Sequence, residues 1–306
     1  MDEFELIRRY FERNLDSDKV VTGIGDDGAV LEPDPDRQQV QVIDTLVSGV
    51  HFPNDTDPSD IAYRAVAVNL SDIAAMGGRP RWMTLALTLP SVEERWLESF
   101  AAGLFEAADE FGVALVGGDT TAGPLAVVTV SMTGDVPHGA ALLRSTAQPG
   151  DAIYVSGTLG DAAAGLDLLL RGESNDVLVQ RFLRPTARIG TGEALVGRAS
   201  AAIDVSDGLA GDLAKLLAAS GVGGDLQVDR LPISEALLAA GSTEQQFKWA
   251  LCGGDDYELC FTAKEEAMAN IAGITRIGQV TASGYLKCTL NGDVVEIDDS
   301  GYRHFQ

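Results

Sequence analysis

Apolar positions recur at two spacings along the chain, and the alternation between them divides it into helices and strands. Phe4, Ile7 and Phe11 fall at helical spacing and predict an amphipathic helix at the start. A strand is expected over Gln39–Asp44, running on into IDTLVSGVHF. Pro58-Ser59-Asp60 opens a long helix that continues through Met76, where Gly77-Gly78 stops it as a C-terminal glycine cap does. Trp82–Leu89 reads as a strand, Val92–Phe111 as a second long helix, and Val113–Val116 and Leu125–Thr133 as strands flanking a GGDTT turn. The Gly-, Pro- and Gln-bearing segment His138–Asp151 marks a junction, which predicts domains over 1–140 and 141–306. Beyond it come a strand at Ala152–Val155, a helix at Thr158–Leu170, a strand at Ala202–Val205 and a helix at Leu209–Ala219. Further strands are expected at Leu226–Val228, Glu258–Thr262, Thr275–Val280 and Leu286–Leu290. Strands and helices alternate throughout, so the fold class is α/β (α+β).

Composition narrows the function. Lys and Arg number 22 against 46 Asp and Glu, a net charge of −24, and no basic block occurs. A non-specific nucleic-acid surface needs clustered Lys and Arg, so nucleic acid is excluded as a partner. A chain this negative can hold phosphates only through metal ions, local arginines or backbone N–H groups. No apolar run is long enough for a membrane span, and MDEFELIRRY lacks the order of a signal peptide; a cytoplasmic location is expected. Cys252, Cys260 and Cys288 show no C-x-x-C spacing, and inert thiols are the better reading.

Chemistry concentrates in acidic, glycine-flanked clusters: GIGDDGA (Gly23–Ala29), GGDTT (Gly117–Thr121), DVSDG (Asp204–Gly208) and GGDDYE (Gly253–Glu258), with a further acid in Ile43-Asp44-Thr45. Aspartate supplies hard oxygen ligands for Mg²⁺, and glycine lets backbone turn or approach a ligand closely. Taken singly, each cluster has a plainer explanation. Asp26 and Asp27 suit an Asp-Gly turn, and DVSDG suits a helix N-cap. Asp72, which shares a helix face with Asn69, suits the polar side of an amphipathic helix, and Glu258 suits a surface strand. Recurrence of the pattern favours a multi-metal, phosphate-handling site. No G-x-x-x-x-G-K-[ST] or G-x-S-x-G is present, no G-x-G-x-x-G follows a first strand, and only His51, His138 and His304 could serve as imidazole bases.

In order, GIGDDGAV, IDTLVSGVHF, NLSDIAAMGGRP, LVGGDTT, IDVSDGL, GGDDYEL and GYRHF resemble the thiamine-monophosphate kinase family of the aminoimidazole ribonucleotide synthetase superfamily. The resemblance runs from Gly23 to Phe305. It implies transfer of the γ-phosphoryl group of ATP onto thiamine monophosphate, the final step of thiamine diphosphate biosynthesis. It also implies an ATP- and Mg-binding N-terminal domain that dimerises through its sheet, a C-terminal domain, and mixed sheets flanked by helices. The implied metal ligands are Asp27, Asp44, Thr45, Asp72, Asp119, Asp204 and Asp207. Nucleotide contacts are implied for Gly118, Asp119, Arg144 and Ser206, and substrate contacts for His51, Glu258 and Tyr302. Asp27, Asp72, Asp119 and Arg144 would carry catalysis. Direct in-line transfer assisted by several Mg²⁺ ions is expected, without a strong base, because the attacking phosphate oxygen is already ionised.

Two departures from the family pattern stand out. Val42-Ile43 replaces a Ser-Thr pair, leaving only main-chain oxygens for any metal there, and Phe105 replaces a Tyr, keeping a stacking face without its hydroxyl. Related synthetases are the nearest alternatives. A selenophosphate synthetase should carry a reactive Cys near the first glycine loop and a hydrogenase-maturation protein a C-terminal Cys, and neither is here. A non-catalytic nucleotide-binding regulator is the alternative of a different class.

Overall fold

The computed structural model describes residues 3–13, 19–173 and 175–297. It divides into two compact units, Met1–Ile73 with Gly78–Gly139, and Ala74–Gly77 with Ala140–Gln306. The first contains α1 (Glu3–Tyr10), β1 (Val20–Thr22), β2 (Val30–Leu31), β3 (Arg37–Val47), α2 (Pro58–Ala75), β4 (Arg79–Leu89), α3 (Glu94–Phe111), β5 (Ala114–Ala122) and β6 (Val127–Pro137). Its four-stranded sheet has the order β3-β6-β4-β5, with β4 and β5 parallel and the other pairs antiparallel.

Every residue of α2 from Ile61 to Ala75 is buried except Asp72. A helix buried on all sides is one that the core surrounds, so Asp72 is not part of a broad solvated face of α2. The stop at Gly77 is as its sequence implies. Gly77 adopts φ +70°, and the Gly78 N–H reaches back to the Ile73 carbonyl at 2.9 Å. Helix α3 packs closely on the start of α2, where a Cβ on Gly103 would lie 2.0 Å from the Ser59 carbonyl oxygen. Its apolar side (Leu97, Phe100, Leu104 and Ala108) is buried.

One expectation fails instructively. GGDTT is no turn: β5 runs straight through it, with Gly117 opposite Thr84 and Thr121 opposite Thr88. The glycines are there for close approach. A Cβ on Gly118, at φ +155°, would fall 1.9 Å from the Leu85 carbonyl oxygen.

The second unit contains β7 (Ala152–Ser156), α4 (Asp161–Arg171), α5 (Asp176–Leu183), α6 (Ile189–Leu195), β8 (Ala199–Asp204), α7 (Leu209–Ser220) and β9 (Gly223–Gln227). It continues with α8 (Glu235–Leu238), α9 (Thr243–Cys252), β10 (Leu259–Ala263), β11 (Ile274–Thr281), β12 (Leu286–Leu290) and β13 (Asp293–Val295). The sheet order is β13-β12-β9-β11-β7-β10-β8, antiparallel except for β12 with β9. Central strands β7 and β10 are buried at every position, as strands covered on both faces must be. Alternate side chains feed two cores. Ile153, Val155 and Cys260 join Ile203, Leu213 and Leu217 on one face, and Tyr154 and Phe261 join Leu142 and Leu195 on the other. The Tyr154 and Phe261 rings stack at 5.5 Å.

Helices α5, α6 and α9 were not legible in the apolar spacing. Cys260 and Cys288 are buried and Cys252 is half-buried; all three are free thiols. Burial pushes the Cys260 thiol up, and the nearby Asp212 adds to that. Among the described residues, no helix is long and apolar enough to cross a membrane.

Candidate functional site

Strand β5 is an edge strand of its sheet, and GGDTT borders a groove of about 720 Å³. Across it lies Gly23–Ala29, and Ile7, Arg8 and Phe11 complete the wall. The fold thus brings Asp26, Asp27, Gly118 and Asp119 together. The acids differ in commitment. Asp26 accepts the N–H of Asp27 at 2.9 Å, which is the local Asp turn its sequence suggested. The exposed carboxylates of Asp27 and Asp119 engage no described residue.

Asp44 and Asp72 are half-buried on β3 and α2. Strand alternation puts the Asp44 side chain with Val40, Val42 and Leu46, and Thr45 on the opposite, exposed face with Gln41 and Ile43. There the Thr45 hydroxyl bonds Thr129 Oγ1 at 2.8 Å. The Asp44 and Thr45 side chains therefore lie on opposite faces of the sheet. His51 Nδ1 accepts the Val47 N–H at 3.0 Å, so the proton of the neutral ring sits on Nε2. The Phe105 ring is buried, and the Arg13 guanidinium lies over it at 3.4 Å.

In the second unit, DVSDG and GGDDYE form one structure. Tyr257 and Asp255 donate their N–H groups to the Val205 and Ser206 carbonyls at 2.9 Å, and Val205 donates to the Glu258 carbonyl at 2.8 Å. A Cβ on Gly254 would sit 2.3 Å from the Ser206 carbonyl oxygen, so a side chain there would push the loops apart. Asp255 and Tyr257 hold φ of 70° and 52°, a strained region for such residues.

DVSDG does not cap a helix through its own side chains: Gly208, the N-cap of α7, makes no side-chain cap bond. Instead Asp212, in the first turn of α7, turns back and accepts the N–H groups of Ser206 (3.0 Å) and Asp207 (2.9 Å). Burial pushes its carboxyl up, against the pull of Lys215 and of the Asp207 N–H. Lys215 Nζ donates to Asp212 at 2.8 Å and to Asp207 at 2.5 Å. Asp204, at the end of β8, is buried.

Glu258 is no surface residue; its side chain is 0% exposed. Oε1 accepts from Arg181 Nη2 at 2.8 Å and from Arg188 Nη2, while Oε2 accepts from Ser156 Oγ and Arg188 Nε, both at 2.6 Å. A carboxylate has about four lone-pair sites, and these contacts fill them. Gly157 is required beside it, since a Cβ there would meet Glu258 Oε1 at 2.1 Å. Neighbouring Asp256 is fully buried and accepts the N–H groups of Gly160 (2.7 Å) and Ala162 (3.3 Å) at the start of α4. Burial drives its carboxyl well above the usual range.

Arg144 lies in an exposed turn with its guanidinium uncommitted to any described residue. Tyr302 lies outside the described residues. Sequence reading missed Ser156, Arg181, Arg188, Asp212, Lys215 and Asp256, none of which stands in a glycine-acid motif except Asp256. Among the described residues, no three His, Cys, Asp or Glu side chains converge closely enough to hold a metal ion. The donors are nonetheless of the right kind. Uncommitted carboxylates and open backbone suit a hard divalent cation that keeps other oxygens in its shell.

Residues 25–136 match the family model of the AIR synthase related protein N-terminal domain, and residues 148–291 that of the C-terminal domain. The chain is 49% identical over 320 residues to the thiamine-monophosphate kinase of Salmonella typhimurium, covering 99% of this chain and 98% of the relative. The crystal structure of thiamine-monophosphate kinase from Stenotrophomonas maltophilia superposes with a TM-score of 0.88 at 46% identity, over 96% of this chain and 98% of that one. A solved structure of AaThiL complexed with AMPPCP and TMP superposes with a TM-score of 0.82 at 33% identity, over 99% and 96%.

Proposed function

The chain belongs to the thiamine-monophosphate kinase family, an enzyme family of the two-domain AIR synthase type, and from that premise we propose how it works. It transfers the γ-phosphoryl group of ATP to the phosphate of thiamine monophosphate, giving thiamine diphosphate and ADP. The observation that carries this reading is the groove in which two uncommitted carboxylates, Asp27 and Asp119, face the close backbone approach at Gly118. In a chain of net charge −24, such acids suit phosphates only if cations intervene.

Divalent ions, Mg²⁺ by the chemistry of the donors, would be held by Asp27, Asp44, Asp72 and Asp119 on the first unit and by Asp204 and Asp207 on the second. When bound, such ions neutralise the repulsion between two anionic reactants. The nucleotide is read by Gly118, Asp119, Ser206 and Arg144, whose guanidinium, uncommitted to any described residue, would add positive charge at the transferring group. His51 orients thiamine monophosphate, together with Tyr302, and Glu258 acts on it only through the arginines that it holds. An ionised oxygen of the acceptor phosphate attacks the γ-phosphorus in line. The new P–O bond forms as the β–γ bridge breaks, and ADP leaves with that electron pair. No side chain needs to take a proton, which agrees with the lack of a histidine among the described residues of the groove.

Incubation with ATP, Mg²⁺ and thiamine monophosphate, resolved by chromatography, tests the reading. Equal yields of thiamine diphosphate and ADP are expected, and only with metal. ADP without thiamine diphosphate would mean a different acceptor.

The exposed sheet face that bears Gln41, Ile43 and Thr45, with Ile43 65% exposed, supports a homodimer formed through that sheet. Light scattering that returned the 32.2 kDa of one chain would sink this part.

A further inference from the structure

Asp207 carries a cation that the chain itself supplies. Lys215 Nζ stands 2.5 Å from Asp207 Oδ2 and 2.8 Å from Asp212 Oδ1. Helix geometry explains the reach: Lys215 follows Asp212 by three positions in α7, on the same face. Asp212, 2% exposed, is fixed by the two N–H groups of the loop, so its charge cannot move away from Asp207. Two carboxylates within reach of one ammonium leave a net negative charge, which one monovalent cation only half answers. The lysine is loosely held by comparison. Its side chain is 46% exposed on a flexible four-carbon stem, and an ion pair this exposed is weak.

We propose that Lys215 is a tethered counter-ion that occupies the place of a divalent cation at Asp207 and competes with it. The inference rests on the reading of Asp207 as a divalent-cation ligand and adds a residue that sets how tightly that ligand binds. Competition and electrostatics act in the same sense. Removing the ammonium frees Asp207 and makes the loop more negative, so divalent affinity must rise.

The test is a titration of the full-length protein with Mn²⁺ alone, free ion being read from its paramagnetic resonance signal. Lys215→Met and Lys215→Gln should each tighten one ion about three- to fivefold, the upper end of the scale on which an exposed ion pair contributes. Lys215→Arg, which keeps the charge, should stay within about twofold of wild type on the same scale. Asp207→Asn should weaken that ion, and Lys215→Met should have no effect in the Asp207→Asn background. If Asp207→Asn weakens an ion but neither neutral variant tightens it, Lys215 is only a brace and the proposal falls alone. If Asp207→Asn changes nothing, Asp207 is no ligand, and both readings fall together. Melting temperatures recorded on each variant keep the comparison among folded proteins.

Discussion

Asp119→Asn lowers kcat by about a thousandfold and leaves the fold intact, a loss of roughly 4 kcal/mol of transition-state stabilisation. The residue is exposed on an edge strand, and its carboxylate bonds nothing described. Asparagine has the same shape, so neither packing nor a hydrogen bond is lost, and stability should change by no more than about 0.5 kcal/mol. What disappears is a negative charge facing the groove, and that charge matters only if a cation must be held there. Asp26→Asn is the internal control. Its carboxylate is occupied by the neighbouring N–H group, so asparagine can replace it at small cost. Asp72→Asn shares the expected fall in kcat, since Asp72 is the one residue among 61–75 that is not buried. Steady-state rates with saturating ATP, alongside a melting curve, decide the matter. An Asp119→Asn enzyme within tenfold of wild-type kcat removes Asp119 from the machinery.

The contrast between Asp26 and Asp119 also marks how far the sequence could be read. Helix α2 was legible because its signals are local: a Pro-Ser-Asp start, an apolar run and a Gly-Gly stop. Asp72 was legible as an acid interrupting an apolar helix, whereas its polar-face alternative could be dismissed only once burial was known. GGDTT was misread for the complementary reason. Two glycines signal a turn when nothing else is known, whereas pairing with β4 keeps them extended and uses their missing Cβ atoms instead. The acid motifs were found because glycine and aspartate cluster in sequence. The groups that position them were not, since Arg188, Arg181 and Ser156 reach Glu258 across 70, 77 and 102 positions. Arg181 sits in α5, whose eight residues are too few for a periodicity to stand out. Tertiary pairing of this kind leaves no local trace.

Glu258→Ala therefore has two consequences where the motif alone suggested one. The side chain is 0% exposed and answers two guanidiniums that are themselves only 16% and 27% exposed. Removing one partner of a buried ion pair costs about 3–5 kcal/mol, because the other charges stay behind unpaired. In a unit of this size that corresponds to a fall in melting temperature on the order of 10 °C. Glu258→Gln keeps the shape and some of the hydrogen bonds, and should lose less. The second consequence concerns the substrate. If Glu258 orients thiamine monophosphate, then below the lowered melting point KM for thiamine monophosphate rises while KM for ATP holds. The two measurements separate two claims. An unchanged melting temperature means that the arginines do not converge on Glu258 in solution. A raised KM for ATP, with that for thiamine monophosphate unchanged, puts the ion cluster beside the nucleotide and moves the thiamine pocket elsewhere.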